Sequence, residues 1–280
     1  MGSYRNAMTD LHAAAKRCLD AIDPAEKLRL THATWQAFQA GELHPDPASP
    51  LPDPIAAPGR PGRPKLVNAR QVPQRGLGSA EGRAALVHAV AHIEFNAINL
   101  AWDAVYRYRG KPQAYYHDWA SCANDEARHF AMLQRRLAEL GHAYGDFDAH
   151  DGLWAMAEKT AHHDTARMAL VPRVLEARGL DVTPGMIERL RHLGDTETVA
   201  ILEVILREEV AHVAAGTRWY LDCCERDGLQ PVDTFFALLR EYMGVSLRGP
   251  FNRPARLEAG FVEEELDRLA ALALESRAAL

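Results

Sequence analysis

The chain has 280 residues, 48% of them hydrophobic and 25% charged, with a formal net charge of −6 and a pI near 6.1. That composition supports a sizeable buried core and excludes disorder throughout; the acidic balance argues against general affinity for nucleic acid, which rests on basic surface. Cys18, Cys122, Cys223 and Cys224 form no CxxC pair, Met1–Lys27 lacks the apolar core of a secretion signal, and no stretch offers the roughly 18 apolar residues of a membrane span, so the expectation is a cytoplasmic protein with no membrane partner.

Residues 6–40 predict a helical start, with Leu11, Ala14, Ala15, Cys18, Leu19 and Ile22 at helical spacing before Asp23-Pro24 and a second helix after it. From Gly41 to Gly78 prolines and glycines dominate, as in Pro58-Gly59-Arg60-Pro61-Gly62-Arg63-Pro64, which predicts an extended or irregular segment. Arg60, Arg63, Lys65, Arg70 and Arg75 lie in it, with no acidic residue from Pro54 to Ala80. It reads as a strap packed over helices or as a basic arm for an anionic substrate or RNA.

A helix is expected from near Ser79 to the break at Gly110-Lys111-Pro112, and a second from about Pro112 to Leu140. Gly141–Asp151 is long enough for a crossover. A third helix, about Gly152–Arg178, should kink at Pro172. Thr183-Pro184 resembles an N-cap followed by a first-turn proline. After a break at Gly194-Asp195, a long helix runs to about Asp227, with further helices near Pro231–Val245 and Val262–Ala279. Strand signals are nearly absent, so the expected class is all-α.

Two copies of acid-Glu-x-x-His stand out, Asp125-Glu126-Ala127-Arg128-His129 and Glu208-Glu209-Val210-Ala211-His212. Each lies a helix pair's span downstream of a further glutamate, Glu94 and Glu176 respectively. Residues three apart share a helix face, so Glu126 with His129, and Glu209 with His212, can each offer an oxygen and a nitrogen to one ion. At about 1.5 Å rise per residue, roughly 15 residues up, a turn and a similar run down bring each motif level with its upstream glutamate. Four carboxylates and two imidazoles in this pattern match the ligand set of ferritin-like di-iron and di-manganese proteins. Four negative charges balance two divalent cations, and without metal they are expensive to bury.

The neighbours predict that they are buried. Steps of three or four from Glu94 meet Val87, Val90, Ala91, Ala97, Ile98, Ala101 and Val105; from Glu126 they meet Trp119, Cys122, Phe130, Leu133 and Leu137; from Glu209, Leu202, Ile205, Leu206, Val213 and Gly216. Around Glu176 the face is less uniform, with Ala169, Pro172, Arg173 and Gly179. The plainer alternative is a set of buried salt bridges, or a site that has lost its metal. Mixed nitrogen and oxygen ligands favour iron or manganese over a thiolate zinc centre. His92 points about 160° away from Glu94, so it and His88 read as core or interface histidines. His162, His163 and Asp164 fall about three to four turns before Glu176, too far along the axis to join the same two ions. Tyr115, Tyr116, Trp119, Trp219 and Tyr220 are expected to pack, and Cys122 to be a small buried residue or to line a substrate channel.

The stretches Leu77-Gly78-Ser79, Gly82-Arg83-Ala84-Ala85, His88-Ala89-Val90-Ala91-His92-Ile93-Glu94, Asp125-Glu126-Ala127-Arg128-His129 and Leu175-Glu176-Ala177-Arg178-Gly179-Leu180-Asp181 carry a family resemblance. With Gly249-Pro250-Phe251-Asn252 and Ala259-Gly260-Phe261 they resemble the bacterial ferritin-like family known as domain of unknown function 455, over most of the chain. The resemblance implies a ferritin-like four-helix bundle with N- and C-terminal helical extensions and a carboxylate-bridged di-iron centre, more distantly related to tRNA-hydroxylating proteins. It marks Glu94, Glu126, His129, Glu176, Glu209 and His212 as ligands, with Glu126 and Glu209 as bridges. It also implies that Asp125 hydrogen-bonds His212 and Glu208 hydrogen-bonds His129, bonds that fix an imidazole's tautomer; the plainer reading of both acids is surface charge.

On this basis the domains are expected at 1–78 (helical segment and strap), 79–228 (di-metal bundle) and 229–280 (helical extension). The expected function is an oxidoreductase with two iron ions, or a manganese–iron or di-manganese pair, activating O₂ or peroxide to oxidise or hydroxylate a small organic substrate, served by an electron-donating reductase. The alternatives are a ferroxidase or peroxide-detoxifying iron-handling protein and a non-enzymatic helical module with a structural metal. A tRNA substrate is a narrower version of the first.

Overall fold

The computed structural model describes residues 9–244 and 248–278, so residues 6–8, Val245 and Ala279, which predicted helices include, lie outside it. Its regular structure is helical; among the described residues the only β features are isolated bridges, Asp10 with His44 and Leu66 with Ala149. The chain divides into two compact units, Met1–Glu158 and Lys159–Leu280.

Unit 1 holds α1 (Leu11–Asp20), α2 (Pro24–Gln39), α3 (Ala80–Arg107) and α4 (Gln113–Glu139), with α5 (Gly152–Lys159) at its end. Local chemistry starts these helices. The Asp10 carboxylate accepts from the amides of His12 and Ala13, Asp23 accepts from Glu26 ahead of Pro24 in the first turn, and Ser79 accepts from Gly82, each meeting an amide the helix leaves without a partner. α3 and α4 pair along their lengths, α1 packs on α3 and α2 on α4. By length and composition α3 is capable of crossing a membrane, yet 78% of its most apolar stretch is buried inside the protein; it is the unit's core helix.

A lysine is part of that core. Lys27 is fully buried, and its Nζ donates to the carbonyls of Cys18 (2.7 Å) and Leu19 (3.2 Å) and to Asn99 Oδ1 (2.7 Å). Three acceptors use its three donors, but none carries a charge, and burial lowers its pKa to about 8. The unfolded chain therefore binds the proton more tightly, and stability should rise with pH between about 8 and 10.5. At about 1.4 kcal/mol per pKa unit the gain is on the order of 3 kcal/mol. Denaturant unfolding of the wild type and Lys27→Met from pH 7.5 to 10.5 is expected to show this extra rise in the wild type alone; parallel curves would refute it.

The Pro/Gly segment is irregular, as predicted, apart from a 3₁₀ turn at Ala69–Gln71, and it is a packed strap. Gly59 N–H donates to Leu19 O (2.7 Å) at a contact so close that a Cβ on Gly59 would sit 2.3 Å from Asp20 O. Trp154 Nε1 donates to Ala56 O (3.0 Å), and Lys65 and Val67 hydrogen-bond through their backbones to Ala149. Arg60 pairs with Asp151 (2.6 Å) and Arg75 with Glu81 (3.2 Å); Arg63, Lys65 and Arg70 remain exposed.

Unit 2 contains α6 (Asp164–Leu170), a π-helical turn (Val171–Glu176), α7 (Ala177–His192), α8 (Thr196–Asp227), α9 (Pro231–Met243), α10 (Arg253–Glu258) and α11 (Glu263–Ala278). Two expectations are corrected. The helix expected over 152–178 is broken at 160–163, where the ring of His163 caps α6 by accepting from Ala166 N–H (3.2 Å). Thr183-Pro184 starts no helix, because Pro184 lies inside α7; Leu180, Thr183, Ile187 and Leu190 form a buried stripe on a helix packed against α8, and that burial outweighs the lost backbone bond. The expected kink at Pro172 is the π-helical turn. Gly216 of α8 makes room for it, since a Cβ there would meet Pro172 Cβ at 2.3 Å. The short α10, capped by Asn252, had no strong periodic signal.

Candidate metal centre

In unit 1 the hairpin α3–α4 brings three predicted ligands together. Glu94 (4% exposed), Glu126 (2%) and His129 (0%) each place one ligand atom so that all lie within 4.8 Å of one another. His129 Nδ1 stands 3.1 Å from Glu94 Oε2 and 3.4 Å from Glu126 Oε2. The surrounding residues are those the helical stripe predicted: Val87, Ala91, Ile98, Trp119, Phe130, Leu133 and Leu137 are all buried.

Two carboxylates and an imidazole this deep need protons or a cation. Burial, and then the neighbouring charge of Glu126, raise the pKa of Glu94 well above the usual carboxylate range. Burial works to lower His129, but its hydrogen bonds to Glu126 and Glu94 and their charges outweigh it and push its pKa to about 11. Without metal Glu94 and His129 therefore hold their protons, and a divalent cation can take their place. Two oxygens and one nitrogen, buried and converging, suit iron or manganese.

In unit 2, Glu176, Glu209 and His212 are buried. Glu176 ends the π-helical turn, a distortion often found at functional sites. Glu209 and His212 lie one turn apart on α8, with His212 Nδ1 3.3 Å from Glu209 Oε2. A Cβ on Gly179, one turn beyond Glu176, would touch Glu209 Cγ at 3.8 Å, so Glu209 packs against the face of α7 nearest Glu176. Among the described residues, the gathering of three ligand atoms within 4.8 Å seen for Glu94, Glu126 and His129 is not found for Glu176, Glu209 and His212.

The acids preceding the motifs have partners close by: Asp125 accepts from Arg128 (2.8 Å), and Glu208 lies 4.0 Å from Arg207. His88 and His92 are core histidines. His88 Nε2 accepts from Gly145 N–H (2.9 Å), His92 Nδ1 pairs with the Tyr144 hydroxyl (2.9 Å), and burial lowers both pKa values to about 4. His162 and His163 are exposed. Tyr115, Tyr116, Trp119, Trp219, Tyr220 and the four cysteines are buried. Sequence reasoning missed Arg173 as a structural residue; the visible signal was an arginine one turn before Glu176 on a face expected to be buried.

The chain matches the family described as "Protein of unknown function (DUF455)" over residues 20–267. It is 42% identical over 271 residues to a Haemophilus influenzae protein described as uncharacterized, covering 93% of each chain. No solved structure matches it.

Proposed function

We propose that this chain, which belongs to the DUF455 family, is a di-iron oxidoreductase of ferritin-like type that uses O₂ or peroxide to oxidise or hydroxylate a small organic substrate. The observation that supports it most is the buried trio Glu94, Glu126 and His129, with Glu176, Glu209 and His212 buried at the matching positions of the second sequence pattern. These six would hold the metal. Bound iron supplies electrons to the oxidant and polarises it. The protein's part is charge and access: four carboxylates balance two divalent ions, the neutral imidazoles complete the donor set, and the buried aromatic and aliphatic walls around Glu94 and Glu126 exclude water. Asp125 and Glu208 are assigned the role of orienting His212 and His129. An electron-donating reductase is the expected partner, in a cytoplasmic setting.

The test is metal content. Protein purified without added metal is expected to carry about two irons per chain, lost in Glu126→Ala/Glu209→Ala, and the anaerobic ferrous protein should develop a ferric absorption band when O₂ is admitted. Tight zinc, or no metal from iron-replete cells together with no response to O₂, would overturn the reading.

A further inference from the structure

Unit 2 contains a cavity of about 220 Å³ beside the π-helical turn, walled in part by Phe235 and Phe251 and lined by four arginines, Arg173, Arg178, Arg248 and Arg256. Its charge is unbalanced. Asp181 holds Arg256 through two bonds (2.8 and 2.9 Å), and Glu265 holds Arg173 through two more (2.8 and 2.9 Å). Arg178 reaches Asp181 only at 3.5 Å, on a carboxylate already engaged, and donates to the carbonyls of Arg248 and Pro250 (2.8 and 3.4 Å), which cancel no charge. The Arg248 side chain is exposed, with no ion pair among the described residues. Two carboxylates thus serve four guanidiniums. Arg173, 1% exposed, also keeps a buried Nη1 with no hydrogen-bond partner.

A surplus of two positive charges at an apolar, aromatic-walled cavity specifies a ligand with an acid group and an apolar body. Guanidiniums bind carboxylate and phosphate oxygens through short charge-assisted bonds, and ligand pockets pair apolar walls with a few such groups. A cavity of about 150 Å³ holds benzene; this one has room for a ring or short chain and its acid group. We propose that the cavity binds a small organic acid, a carboxylate or phosphate monoester on an apolar body of about ring size. The inference does not rest on the di-iron reading, because the site uses none of the six metal-ligand candidates.

Calorimetric titration of the full chain, after chelator treatment, tests it with phenylacetate, phenyl phosphate, inorganic phosphate and benzyl alcohol at fixed salt. One organic anion is expected to bind at one site per chain, with benzyl alcohol and inorganic phosphate at least about tenfold weaker. Arg248→Glu, a charge reversal at an exposed position, should weaken that anion by about tenfold or more while the circular dichroism spectrum stays that of the wild type; Arg178→Gln should weaken it in the same direction. Preference for phenylacetate or phenyl phosphate identifies the acid group. Benzyl alcohol binding as tightly as either anion, unchanged affinity in Arg248→Glu, or no binding of either anion up to ~10 mM would overturn the proposal.

Discussion

Replacing Arg173 by alanine is expected to destabilise the protein by about 3–5 kcal/mol, the cost typical of removing one partner of a buried ion pair. Arg173 and Glu265 are 1% and 3% exposed and joined by two bonds, while Arg173 Nε donates to Thr217 Oγ1 at 3.3 Å. The guanidinium also lies 4.7, 4.6 and 4.4 Å from the ring centroids of Tyr220, Phe235 and Phe261. Truncation leaves the Glu265 carboxylate buried beside those rings with the amide of Val262, at 3.1 Å, as its remaining donor. Because the pair ties α11 to the π-helical turn, the loss should also loosen the turn that ends in Glu176.

The cost comes from the orphaned charge more than from the lost attraction. Taking both ions out of water consumes much of what their attraction returns, so Arg173→Met/Glu265→Leu should recover most of the stability lost by Arg173→Ala. Denaturant midpoints at constant slope measure this. A single variant within about 1 kcal/mol of wild type would show that the arginine contributes little, and a double variant no better than the single that its contacts with the rings, and not the orphaned charge, set the cost.

What the sequence revealed, and what it hid, follows from the range of the interactions. Ser79, Pro112 and Asp195 mark helix starts through contacts within three residues, so their boundaries were legible. The apolar stripe around Glu94 was legible because helical periodicity writes burial into spacing. The same periodicity placed Glu126 with His129, and the length of the hairpin brought Glu94 within 3.1 Å of that ring. Pairings with no local trace stayed hidden: Lys27 with Asn99, Arg173 with Glu265, Arg256 with Asp181. Thr183-Pro184 misled because a local signal was overruled by the buried stripe from Leu180 to Leu190. Half of the strap's ambiguity was of the same kind, since only the partners Asp151 and Glu81 reveal that Arg60 and Arg75 are engaged.

Glu126→Gln is expected to abolish the stabilisation that a divalent metal gives the protein. Without metal, the change preserves shape but removes the largest of the interactions that hold the proton on buried His129, so the chelated variant should be less stable than the chelated wild type. With metal, the variant forfeits a ligand. At a free metal concentration about a thousandfold above Kd, binding stabilises the folded chain by about 4 kcal/mol, which for a chain of this size raises the melting temperature by roughly 10 °C. Mn(II), which avoids oxygen chemistry, is the probe: the wild type should show most of that rise and Glu126→Gln little of it. A set of buried salt bridges predicts the loss in the chelated protein and no response to metal, since losing Glu126 leaves His129 with only Glu94 to hold its proton. A wild type indifferent to Mn(II) and Fe(II) would therefore decide for salt bridges.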